Sequence, residues 1–193
     1  MKRASELPEG YEQIFEVDLQ KNKKIALIIN LLAVAVGVAM AVPAAFIVPI
    51  GALFDMSAGL LAYSLRFLTL IIAMVAYIVL HELIHGVAMK ICGTKKVKYG
   101  FTGLYAFAGS EDYYGKGAYI FIALAPVVLW GVVLAVLCPL LPAEWFWVAY
   151  IIQISNVSGA MGDAYVTLKF SRFPSDILVR DYGVGMKVYS KQK

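Results

Sequence analysis

The chain has 193 residues, 61% of them hydrophobic and 16% charged, with a formal net charge of +4 and a mean hydropathy of +0.76, against the roughly 45–50% apolar content of soluble domains. This composition excludes a soluble globular enzyme. Because its lysines and arginines gather at expected membrane edges, it also excludes a nucleic-acid-binding protein. A separate soluble domain usually takes at least ~100 residues, so residues 1–193 are expected to form one membrane-embedded domain.

In chain order, residues 1–24 form a polar tail carrying Glu6, Glu9, Glu12, Glu16 and Asp18. A secretory signal starts basic and ends at a small-residue cleavage site, so the first apolar run is expected to stay in the mature protein. Within the tail, "YEQIFEVDL" sets Tyr11, Phe15, Val17 and Leu19 against Glu12, Glu16 and Asp18 in near alternation, a strand-like pattern. The apolar core runs from residue 25 to 170. Its first run, Ile25 to about Gly51, exceeds the ~20 residues that cross a bilayer. Pro43 and Pro49 imply a kink there, or an early end followed by a short interfacial piece toward Asp55. Further runs are Phe67 to Met89, Ala118 to Cys138 and about Trp145 to Phe170. The expected fold class is therefore an all-α polytopic membrane protein with about four transmembrane helices.

Between the second and third runs, "VKYGFTGLYAFAGSEDYYGKG" is rich in glycine and aromatics and reads as a hairpin or re-entrant loop near the membrane surface. The C-terminal tail, residues 171–193, contains "DILVRDYGVGMKVYS", again strand-like, so the two tails could pair in a small sheet; simple packing of both is the reading kept here. Lys21, Lys23 and Lys24 precede the first run, Lys90, Lys95, Lys96, Lys98 and Lys116 lie between the second and third, and Lys169 and Arg172 follow the fourth. The opposite loops hold Asp55, Arg66 and Glu144. By the positive-inside rule both termini are expected in the cytoplasm, and the small size without a recognisable targeting sequence leads to the expectation of a prokaryotic cell membrane. Cys92 and Cys138 read as buried small hydrophobes.

The chemistry is concentrated in "VLHELIHGVAMK", residues 79–90. His81 and His85, the only two histidines, are spaced to share one helix face about one turn apart and so can grip one metal ion. Glu82 lies beside them. In this HExxH arrangement zinc supplies Lewis acidity and lowers the pKa of a bound water to about 7, and the glutamate accepts and returns a proton. Ionisable groups at membrane depth mark function by default. A catalytic zinc ion takes three protein ligands, and the third here has to be a carboxylate or a thiolate: Asp163, Glu111, Asp112, Asp176 or Cys92. Depth favours Asp163. His85 precedes Lys90 by about 7.5 Å of helix and Asp163 precedes Lys169 by about 9 Å, which sets them at nearly one level. Asn156, about two turns before Asp163 on the same face, could hydrogen-bond a substrate carbonyl or a developing oxyanion, or could bridge two helices. A two-His, one-carboxylate set also suits Fe(II).

"HELIHG", "ALAPVV" at residues 123–128 and "NxxGxxGD" from Asn156 to Asp163 resemble the zincin peptidases of family DUF3267, themselves similar to the site-2 class of intramembrane metalloproteases. The resemblance covers nearly the whole chain, including a tail like "LPEGYEQIFEVDL". It implies a zinc cofactor held by His81, His85 and Asp163, Glu82 as general base, Asn156 as a helper, and a membrane protein or peptide as substrate. It further implies that the hairpin from Val97 to Phe107 presents that substrate as an added strand. Two other classes fit the composition: a catalytically silent zincin-like protein that binds a membrane partner, and a small metal or solute permease.

Overall fold

The structure, a computed structural model, describes residues 3–18, 20–103, 106–183 and 185–191. Leu19 of the N-terminal alternation, Leu104 and Tyr105 at the tip of the expected hairpin, and Val184 in the C-terminal strand pattern lie outside them. The elements follow in the order β1 (Arg3–Ala4), β2 (Glu12–Asp18), α1 (Lys23–Ile47), α2 (Leu60–Ile91), β3 (Lys98–Phe101), β4 (Ala106–Gly109), β5 (Tyr113–Gly115), α3 (Lys116–Leu137), α4 (Ala143–Gly159), α5 (Met161–Ser171), β6 (Leu178–Asp181) and β7 (Gly185–Ser190). Contacts divide the chain into two compact units. One comprises residues 1–29, 80–126 and 162–193; the other comprises residues 30–79 and 127–161.

The all-α expectation is overturned. The first unit contains a five-stranded antiparallel sheet in the order β1-β5-β6-β7-β2, so the fold is mixed α/β. The tails do pair: β2 runs against β7 with Val17 opposite Met186 and Phe15 opposite Val188. The physical reason is the alternation itself, which gives each tail one apolar row. Val179 and Val188 are fully buried and pack with Phe170, Tyr114, Ile122 and Met89 in a common core, with Phe15 and Met186 against it. A single isolated strand could not satisfy its backbone groups while burying such a row, and the ladder does so. The segment after α2 forms the expected hairpin, β3 against β4, with Tyr99 opposite Ala108 and Gly100 opposite Phe107.

The expectation of a fourth span also fails. Among the described residues three helices are long and apolar enough to cross a membrane: Lys23–Ile47, Leu60–Ile91 and the stretch Lys116–Leu140, with hydropathies of 2.7, 2.3 and 2.8. The fourth apolar run is instead two shorter helices, because α4 stops at Gly159, Ala160 leaves the helical region at ψ 12°, and α5 begins at Met161. Glycines at 159 and 162 weaken helix continuation there, and the break sets Asp163 in the first turn of α5, where free amides favour a carboxylate. Along the three long helices large apolar side chains face outward, Phe46 at 86% and Ile71 at 62% exposure among them. Unpartnered apolar surface on this scale needs a nonaqueous solvent, which is consistent with a membrane protein.

In the second unit α1 ends at Ile47, and after Pro49 a 3-10 turn, Ile50–Phe54, follows. Arg66, only 2% exposed, donates to the carbonyls of Ala52, Leu53 and Asp55 at 3.3, 2.9 and 3.1 Å. It closes that turn rather than standing free as a loop charge.

Candidate metal centre

The 3.6-residue helical repeat brings His81 and His85 of α2 onto one face, with ring centroids 5.0 Å apart. Asp163, from the first turn of α5, meets them: its Oδ2 lies 4.0 Å from Nε2 of His81 and 3.8 Å from Nε2 of His85. One ligand atom from each of the three residues falls within 4.8 Å of the other two. A tetrahedral ion with bonds of about 2.0–2.1 Å spaces its ligands by roughly 3.4 Å, so closing the triad takes about half an ångström between Asp163 and each histidine and at most about 1.4 Å across the widest pair. The donor set fits: two imidazoles and one carboxylate, their side chains 12%, 12% and 26% exposed, with a coordination position left over. Among the described residues this is the group so placed.

The imidazoles are oriented from behind. Nδ1 of His85 bonds the carbonyl oxygen of Ile122 on α3 at 2.9 Å; since a carbonyl only accepts, Nδ1 carries the proton and Nε2 is left as the ligand atom. The backbone N–H of Ala108 on β4 faces the Glu82 carboxylate and interacts favourably with it. The glycine of "HELIHG" has a steric reason. A Cβ at Gly86 would overlap the Tyr99 hydroxyl, so glycine leaves room for the Tyr99 ring against α2, and a larger residue would push that ring aside.

The other sequence candidates are engaged elsewhere. Glu111 pairs with Lys98 and Asp112 with Arg3 at 2.7 Å; Asp176 accepts from Ser190 and from the Lys191 backbone; Cys92 is a buried cysteine outside any disulfide. Asn156 belongs to the second unit and is fully buried there. Its amide accepts from the Tyr77 hydroxyl at 3.2 Å and donates to the Val127 carbonyl at 3.1 Å, which supports the helix-bridging role left open by the sequence. Asn156→Ala would leave buried polar groups unmet at a cost of about 1–3 kcal/mol. A lowered thermal unfolding midpoint in detergent, with metal content unchanged, is the expected result.

Sequence reasoning missed Asp181 at the end of β6. Its carboxylate accepts from the Tyr119 hydroxyl at 2.7 Å and from the Gly183 amide at 2.8 Å, and its field reaches Glu82 and Asp163. Burial pushes its carboxyl above the usual carboxylate range, and the bond from Tyr119 is the largest effect opposing this. In sequence Asp181 is one polar residue within the strand-like tail pattern, and the pairing of β6 with β5 and β7 brings it toward the centre.

A family model described as "Putative zincin peptidase", DUF3267, matches residues 73–178. An "Uncharacterized 24.7 kDa protein in gap 5'region" from Pyrococcus woesei is 28% identical over 128 residues, covering 61% of this chain and 53% of its own length. The match thus spans about half of that relative. No solved structure matches significantly.

Proposed function

The chain belongs to the DUF3267 family, and from that membership and the partly buried triad we propose that it is a zinc-dependent metallopeptidase that cleaves membrane proteins or peptides at or within the bilayer. The single observation that carries this reading is the convergence of His81, His85 and Asp163 within 4.8 Å beside Glu82. His81, His85 and Asp163 would hold a zinc ion there, which would supply Lewis acidity toward the scissile carbonyl and an activated water. Glu82, which faces the Ala108 amide, takes the proton of the attacking water on a carboxylate oxygen and returns it to the departing amine nitrogen. His85 keeps its Nδ1 proton on the Ile122 carbonyl throughout, so its ligand atom does not turn away.

The hairpin of β3 and β4 supports a substrate role for that segment. It is a two-stranded sheet of its own, and β4 adjoins Glu82 through Ala108, so an unwound substrate segment added along the hairpin would run close to the base. Lys90, Lys95, Lys96 and Lys98 after α2 support a site toward the cytoplasmic face.

The test is metal removal. The protein is purified in detergent, its metal measured by plasma mass spectrometry, and its cleavage of a single-span reporter followed in liposomes. About one zinc per chain is expected, with cleavage lost on chelation and restored by zinc. Cleavage that survives complete metal removal would overturn the proposal.

A further inference from the structure

An α-helix bonds each carbonyl to the amide four residues on. For Ile122 in α3 that amide belongs to residue 126, which is Pro126, and proline has no N–H. The Ile122 oxygen therefore loses the partner the helix would provide, and the proline ring presses on that same carbonyl and tilts it off the helix axis. This happens in a dry place: Ile122 is 2% exposed and Pro126 is among the fully buried side chains. The oxygen so released is the one that accepts Nδ1–H of His85 at 2.9 Å.

We infer that Pro126 is a positioning residue for the metal centre: by freeing the Ile122 carbonyl it holds His85 in the tautomer that turns a lone pair on Nε2 toward His81 and Asp163. Free imidazole side chains favour the opposite tautomer, with the proton on Nε2, where no metal can bind. The carbonyl reverses that preference before any ion arrives. Proline here is a helix breaker in a helix that does not break, and its place four residues after the acceptor gives it a purpose that its effect on helix shape alone does not. The inference deepens the metallopeptidase reading and rests on His85 being a ligand.

Two variants separate the carbonyl from the ring. Pro126→Ala restores the N–H. Replacement of Pro126 by lactic acid, incorporated as an ester-linked analogue by nonsense suppression, leaves position 126 without either ring or N–H. A carbonyl has two lone pairs, so the alanine variant weakens and turns the acceptor rather than deleting it. The first readout is the nitrogen NMR spectrum of metal-free protein labelled at histidine, simple because there are two histidines and His81→Gln assigns them. The second is affinity for zinc by competition with a chromophoric chelator.

The expected result is His85 protonated on Nδ1 in the wild type and the lactate variant, and mixed tautomers with about tenfold weaker zinc binding in Pro126→Ala, at the lower end of the ~10–100-fold usual for lost outer contacts. Should Pro126→Ala fail to fold, the lactate variant still decides: an Nδ1–H signal upholds the inference and its loss overturns it. Unchanged tautomer and affinity in Pro126→Ala, or equal loss in both variants, would also overturn it. A wild type that takes up no metal would sink the peptidase reading, while the tautomer comparison on metal-free protein would still judge the role of Pro126.

Discussion

Asp163→Ala is expected to empty the metal centre, taking the purified protein from about one bound ion per chain to essentially none after dialysis. Apparent binding free energies of about 10–16 kcal/mol for four-ligand zinc sites come to roughly 3 kcal/mol for each ligand, or more than ~100-fold in affinity. The loss here should be at the upper end, since Asp163 is the one anionic ligand of the three and removing it leaves a dication facing two neutral rings. Asp163→Asn is the control for shape, keeping an oxygen donor but not the charge, and should retain only weak binding. Neither change opens a deep cavity, because the side chain is 26% exposed, so gel filtration and circular dichroism should match the wild type. A full complement of metal in Asp163→Ala would mean that the third ligand is another group and that the approach of α5 to the histidines is packing alone.

Glu82→Gln should separate binding from chemistry. The amide oxygen of glutamine can still accept from the Ala108 N–H, so the side chain keeps its place while losing the ability to take a proton at neutral pH. Metal content is expected to stay at the wild-type level and the rate of reporter cleavage in liposomes to fall by about 10²–10⁴-fold, the usual worth of a positioned general base. Substrate capture should be unchanged, making the variant a trap for substrates by crosslinking. If Glu82→Gln cleaves at the wild-type rate, the base is another group. Asp181, whose charge is felt at Glu82 and Asp163, would then be the carboxylate to replace, with Asp181→Asn.

The motif residues were legible before any fold was known because their spacing is local. His81, Glu82 and His85 sit within one and a half turns of one helix, and helical periodicity alone brings the histidines together. Asp163 was reached by a depth argument from Lys90 and Lys169, although that argument assumed a continuous fourth span where the chain breaks at Gly159 and Ala160. The rise from Asp163 to Lys169 lies wholly within α5, so the break before it leaves their spacing unchanged. The sheet was harder to see. Its strands are two to seven residues long and come from distant parts of the chain, and no pattern within a short strand names its partner.

The sequence by itself determined the long apolar runs expected of a membrane protein and a histidine pair one helical turn apart with an adjacent carboxylate, since apolar run length and helical spacing are properties of neighbours along the chain. The tertiary structure alone decided the rest. It brought β6 and Asp181 to the centre, set the Ala108 amide on Glu82, and turned the carbonyl that Pro126 releases toward His85. Each of these joins residues tens of positions apart, and which backbone groups are left unpaired, and what then meets them, is settled only when the elements pack.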